Sequence, residues 1–184
     1  MIAVAASAVA ILFTTELKAQ TTDPNKFRFG IGLEAGAPTG NAHDISNFEL
    51  GGTARLQYGL SNNLALTLTS GYYNFFGKTY TTSVFDGTNT TTVSVDGRSL
   101  GMIPVKAGIK AFFASNFYFG AEAGAGFEVH APIDGAEKDT KLILAPGLGF
   151  ANKTWDVGIR YENFSGQGNN YGLAGLRIAY GFPL

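Results

Sequence analysis

Residues 117–130 read Phe117-Tyr118-Phe119-Gly120-Ala121-Glu122-Ala123-Gly124-Ala125-Gly126-Phe127-Glu128-Val129-His130. The odd positions are Phe, Phe, Ala, Ala, Ala, Phe and Val; the even positions are Tyr, Gly, Glu, Gly, Gly, Glu and His. A period of two is the strand period, because successive side chains leave the backbone on opposite sides. One face is wholly apolar, and the other mixes carboxylates with glycine. Glycine weakens a strand, and open solvent gives no reason to accept it. The polar face is therefore expected to look into a confined space, where small residues leave room for long charged ones on the opposite wall.

The same alternation runs through seven further stretches, 26–36, 48–59, 63–75, 99–113, 140–150, 154–164 and 171–182. Every charged residue in them shares the glycine parity. They include Arg28, Glu34, Glu49, Arg55, Lys106, Lys110, Glu122, Glu128, Lys141, Asp156, Arg160, Glu162 and Arg177. A soluble ligand-binding barrel would show the same period with the apolar face turned inward. A lipid-facing surface explains the charge parity better, because an Arg or Lys at mid-depth in a bilayer costs roughly 2–4 kcal/mol. On the apolar face, Phe27, Tyr58, Phe113, Phe117, Phe150, Trp155, Tyr180 and Phe182 gather at one end, and Phe48, Tyr72, Phe127 and Tyr161 at the other. Aromatic belts of this kind mark the two membrane–water interfaces.

Connections alternate as well. Those at 60–62, 114–115 and 151–153 are short and contain Asn or Ser; those at about 37–47, 76–98, 131–139 and 165–170 are longer and polar. Short turns on one side and long loops on the other are the habit of transmembrane barrels. The expected fold is all-β, an eight-stranded antiparallel up-and-down transmembrane β-barrel spanning residues 21–184. Residues 1–20 open with the apolar run Ile2–Phe13, too short for a spanning helix and of the right length for the core of a signal peptide. The expected division is a signal peptide at 1–20 followed by one barrel domain.

Composition closes other routes. The chain of 184 residues has no cysteine, and its 13 Lys+Arg against 14 Asp+Glu leave a net charge of −1. That removes a disulfide framework and a cysteine nucleophile, and supplies no clustered positive charge for nucleic acid. The two histidines, His43 and His130, are far apart, so no metal site is expected. The glycines of 120–126 superficially resemble a nucleotide-binding loop, but that loop needs a following helix and a strand continues here. A lipid hydrolase using His130 and Ser165 is a weaker reading, since no oxyanion arrangement is legible. We expect no catalytic residues and no cofactor.

The segment Ile103-Pro104-Val105-Lys106-Ala107-Gly108, continuing through Phe112-Phe113 to Phe117–Phe127, resembles a descending strand, tight turn and glycine-rich ascending strand of the small bacterial outer-membrane β-barrels. The likeness is to the porin-family, OmpA/OmpX-like kind. It implies localisation in the bacterial outer membrane and contact with outer-membrane lipid and lipopolysaccharide. It also implies insertion by the outer-membrane assembly machinery, which reads a C-terminal strand with terminal aromatics. Here Tyr180 and Phe182 supply them, although the chain ends Phe182-Pro183-Leu184.

Two features are candidates for function. The inward charges Arg28, Glu34, Arg55, Lys106, Lys110, Glu122, Glu128, Lys141, Asp156, Arg160, Glu162 and Arg177 form either a salt-bridged plug or, in the alternative, a porin-like passive conduit for small solutes or ions. An eight-stranded barrel is only wide enough for side chains to fill, which favours the plug. Glu49 reads as a rim residue outside this set. The second feature is the long connection 76–98. There Asp86-Gly87-Thr88-Asn89 is a hairpin signal between β-branched runs. Its strands are expected to continue those of the barrel beyond the membrane, as a surface for a ligand or partner.

Overall fold

A computed structural model of the protein describes residues 23–184 except 86, 88, 131–137 and 167–169. The proposed signal peptide and most of the 131–139 connection thus lie outside the described residues. The chain forms strands β1 (Phe27–Gly40), β2 (Ser46–Ser61), β3 (Leu64–Gly77), β4 (Thr79–Phe85), β5 (Thr90–Asp96) and β6 (Leu100–Phe112). They are followed by β7 (Phe117–His130), β8 (Thr140–Ala151), β9 (Trp155–Ser165) and β10 (Tyr171–Pro183).

Eight of these close into one barrel in the order β1-β10-β9-β8-β7-β6-β3-β2, with every neighbouring pair antiparallel. Closure is made by β1 and β10, in register from Arg28↔Pro183 to Gly40↔Tyr171, so the sheet has no free edge. The barrel strands run from 11 residues in β9 to 16 in β2, and a tilted strand needs about 9–11 to cross a bilayer.

The burial is inverted relative to a soluble barrel. Leu33 is 70% exposed and Ile159 62%, whereas Lys106 is 1% and Glu162 0% exposed. Every charged side chain of the eight barrel strands is buried or half-buried on the inner face. The outer wall is a continuous apolar band that water would not tolerate at this size, and a hydrocarbon environment satisfies it.

Two connections differ from expectation. The segment 37–47 is not a free loop: β1 pairs with β10 as far as Gly40, and the short helix α1 (Asn41–Ile45) leads into β2. Gly40, at φ 64°, turns the chain inward, and Ala42 is buried at the loop end of the barrel. The 76–98 connection does carry a hairpin, but β4 and β5 form a separate two-stranded sheet and do not extend β3 and β6. Pairing of β3 with β6 stops at Phe75↔Leu100, and that of β4 with β5 begins at Thr79↔Asp96. At the neck between them, a Cβ on Gly77 would overlap the Gly97 carbonyl. The crossing is so close that glycine is required, and the ladder is interrupted there. The base of the hairpin is tethered to α1: Lys78 N–H donates to the Ile45 carbonyl at 2.9 Å, and the Tyr80 hydroxyl to that of Asp44 at 2.7 Å.

Candidate functional site: a filled lumen

The inward side chains stack in layers from the turn end to the loop end. At the turn end Asp156, just after the turn into β9, accepts hydrogen bonds from Lys110 Nζ and, at 2.7 Å, from the Tyr118 hydroxyl. Arg55 and Arg177 each place a guanidinium nitrogen 3.5 Å from the same carboxylate. Lys110 Nζ also lies 4.3 Å from the centroid of the Tyr118 ring, which packs with Phe112 and Ala151 as a small apolar floor. Tyr118 fits because its cross-strand partner is Gly149, where a Cβ would overlap the ring. Glycine thus makes room for a neighbouring strand's side chain, where the sequence pattern suggested room for one from the opposite wall.

In the middle layer Glu122 accepts from Thr69 at 2.7 Å and Arg55 at 3.0 Å, with Lys106 at 3.7 Å. Glu34 accepts from Thr53 at 2.6 Å and is paired with Arg177 at 3.0 Å and with Arg160. Above it Glu162 takes Lys106 at 2.5 Å, the Tyr73 hydroxyl at 3.1 Å and Arg160. Tyr73 in turn accepts from Lys106 at 2.9 Å and Arg160 at 3.0 Å. One phenol of β3 therefore joins two cations and a carboxylate contributed by β6 and β9.

The loop-end third is mostly apolar. Phe75, Leu100, Met102, Ile143, Phe164, Tyr171 and Leu173 are all buried, closed over by Ala42 of α1. Phe164 stacks on Tyr171 with centroids 4.9 Å apart, and Phe75 meets both edge-on at 6.1 Å. The alternation of charge and glycine does not announce this cap; its signal in the sequence is the large apolar residues on the inward parity of β3, β8 and β9.

Of the twelve expected lumen charges, nine (Glu34, Arg55, Lys106, Lys110, Glu122, Asp156, Arg160, Glu162 and Arg177) form this single cluster. Arg28 lies at the turn end and donates to the Asn152 carbonyl at 2.8 Å. Glu128 and Lys141 stand apart at the loop end. Glu128 accepts the Asp139 N–H at 3.1 Å, and Lys141 bonds Asp139 at 2.9 Å and the Gly166 carbonyl at 3.0 Å.

Glu49 corrects the rim assignment: it is 0% exposed, beneath the aromatic cap, and neither carboxylate oxygen has a hydrogen-bond partner among the described residues. A buried carboxylate without partners is destabilising. Glu49→Gln is therefore expected to raise the unfolding free energy by about 1 kcal/mol at neutral pH, read from urea titration in detergent.

The eight turn-end aromatics all lie on the outer face in linked clusters. Phe27 contacts Tyr58 (4.7 Å between centroids), Phe113 contacts Phe117, which contacts Phe150 (5.4 Å), and Trp155 contacts Tyr180 (5.5 Å), which contacts Phe182 (4.8 Å). Phe119 joins the second cluster 4.5 Å from Phe113.

Little space remains inside. Two gaps beside the charged cluster measure about 20 and 30 Å³, each room for about one or two waters. Among the described residues, no group of three or more His, Asp or Glu is arranged to hold a metal ion. The arrangement ties side chains of six barrel strands together across the lumen.

The sequence matches no family model and no curated protein. The architecture does have solved counterparts. The crystal structure of Ail, the attachment invasion locus protein of Yersinia pestis, superposes with a TM-score of 0.59 at 14% identity, over 86% of this chain and 99% of that one. The fold is that of a small outer-membrane β-barrel. Ail in complex with the heparin analogue sucrose octasulfate gives 0.57 at 17% identity, covering 86% of this chain and 99% of Ail. Its backbone structure in a phospholipid bilayer nanodisc gives 0.50 at 15%, covering 83% and 99%. At such identities the likeness concerns architecture, and this barrel's own residues carry the argument about its role.

Proposed function

We propose that the protein is an integral outer-membrane barrel whose role is structural and interactive, exercised by the β4–β5 hairpin, and that it neither conducts solutes nor catalyses a reaction. The carrying observation is the filled lumen, ionic from the turn end upward and sealed by the Phe75–Phe164–Tyr171 cap at the loop end. Lipid and lipopolysaccharide surround the apolar wall, the turn-end aromatics sit at the periplasmic interface, and the assembly machinery inserts the chain by its C-terminal strand. A porin-like path would have to dismantle both the cap and the ion-pair cluster.

Reconstitution into planar bilayers is the direct test: the pure protein is expected to give no stable large-conductance openings, and regular openings would return the conduit reading.

The hairpin is the one long sheet with both outer edges unpaired among the described residues. Such edges accept an extended segment by strand addition, with main-chain bonds giving affinity and side chains giving selection. One face is a hydroxyl ladder, Thr79–Asp96 (2.8 Å), Thr81–Ser94 (3.3 Å) and Ser83–Thr92 (3.5 Å). The other carries Tyr80 and Val93, 50% and 45% exposed. Ail has been solved with a heparin analogue. Residues 79–96 here contain no Lys or Arg, and Asp86 and Asp96 are their only charges. An extended polypeptide suits this hairpin better than a polyanionic glycan. Deleting 79–96 should leave a folded barrel, judged by heat-modifiable gel migration, and abolish binding of cells to a protein-coated surface. Undiminished binding would assign the role elsewhere.

A further inference from the structure

The hairpin is a small sheet with little to support it. β4 and β5 pair with each other and with no barrel strand, and a lone two-stranded hairpin in water is marginal unless further strands or packing join it. β4 is tethered at its base, where Lys78 N–H and the Tyr80 hydroxyl donate to carbonyls of α1. β5 has no such tether among the described residues, and its outer edge carries none of the usual protections. Residues 90–96 contain no Lys, Arg, Pro or Gly. The ladder runs from Thr79↔Asp96 to Phe85↔Thr90 without a bulge. Natural edges that must stay single are blunted by devices of these kinds.

What β5 shows to β4 also defines what suits its free edge. The pairs on the hydroxyl face are Thr79 with Asp96 at 2.8 Å, Thr81 with Ser94 at 3.3 Å and Ser83 with Thr92 at 3.5 Å. Cross-strand partners share a face of the sheet. A second β5 laid antiparallel about Val93 therefore offers the same set, Thr90 across from Asp96 and Thr92 across from Ser94, on both sides of a twofold axis. That antiparallel register pairs all 7 residues of the strand and sets the two Asp96 carboxylates at opposite ends. A parallel, in-register pair would set them side by side, and like charges directly opposite are destabilising. β5 is complementary to itself in the way that it is complementary to β4.

Resting on the reading of the hairpin as an interaction element, we propose that its partner is a second copy of this chain, joined by antiparallel pairing of β5 with β5 into a four-stranded sheet. The contact is isologous, so it closes as a dimer and does not run on as a filament.

The test uses the full-length barrel in detergent. Sedimentation equilibrium should give the mass of two chains. T92K/S94K, which places Lys opposite Lys twice, should weaken the association about tenfold. T92K/S94E, which places each Lys opposite a Glu of the other copy, should restore it. Because the chain has no cysteine, single cysteines report the register. Val93→Cys, on the twofold axis, should give an oxidised dimer. Thr90→Cys should not, because its two copies lie at opposite ends of the paired strands, beyond the roughly 7 Å that a disulfide spans. Heat-modifiable gel migration checks that each variant keeps a folded barrel. A monomeric parent, a T92K/S94E variant no more associated than T92K/S94K, or equal cross-linking at 90 and 93 would each overturn the proposal. A monomeric parent that still loses cell binding on deletion of 79–96 would remove self-pairing alone and leave the hairpin to a different polypeptide.

Discussion

Arg160→Met is expected to destabilise the barrel by about 3–5 kcal/mol, more than removal of any other lumen cation. Arg160 pairs with both Glu34 and Glu162 and donates to the Tyr73 hydroxyl at 3.0 Å. Glu34 and Glu162 are 1% and 0% exposed. Methionine fills much of the volume but leaves two desolvated carboxylates with less compensation, and breaking a buried pair by removing one partner costs about this much. The ion pairs themselves need not be the source of stability, since a buried network often does no better than apolar residues of similar volume. The triple variant E34Q/R160M/E162Q should recover only part of the loss, because Arg177 and Lys106 then lose Glu34 and Glu162 as partners. Urea titration in lipid vesicles, followed by the fluorescence of Trp155, the only tryptophan in the chain, measures both variants. A single variant within 1 kcal/mol of the parent would mean that water reaches these carboxylates and that the lumen is wetter than its packing implies.

The parts of this architecture written in the sequence are those governed by a period of two. Strand number, antiparallel order and the inward side of every charged strand residue follow from one alternation, because a one-residue slip would carry Lys106 or Glu162 into lipid. The interior was less legible. Parity tells which way Tyr73, Phe75, Tyr118 and Phe164 point but not that they meet, because contacts across the lumen depend on strand tilt and stagger. Tyr73 therefore read as one more inward residue, although it links Lys106, Arg160 and Glu162. Glu49 shows the same limit of local pattern. Its place near the end of β2 suggested a rim, but α1 and the aromatic cap extend the closed interior past it. The hairpin's turn was visible in Asp86-Gly87-Thr88-Asn89, while its separation from the barrel rests on the crossing at Gly77 and Gly97, a three-dimensional contact no local pattern records.

The sharpest contrast between a lipid-facing and a water-facing wall is a charge placed on it. Leu144 lies near the middle of β8, is 47% exposed and is flanked by Ala123 of β7 and Asn163 of β9. Leu144→Arg is expected to make folding into vesicles less favourable by about 2–4 kcal/mol, the cost of a cation near the bilayer midplane. Leu60, at the turn end of β2, has nearly the same exposure, 44%, but sits beside the short turn at 62–63. Leu60→Arg should cost only about 0–1 kcal/mol, because at the interface the guanidinium reaches headgroups and water. Neither change disturbs a lumen contact, so the difference between them reads depth alone. A soluble barrel with the same inverted pattern would treat both as ordinary surface substitutions, each within about 0.5 kcal/mol of the parent. Equal, small effects at the two positions would therefore remove the membrane from the account. A steep dependence on depth would instead tie the charge parity, the exposed Leu and Ile band and the aromatic clusters at the turn end to one cause, the hydrocarbon layer they bracket.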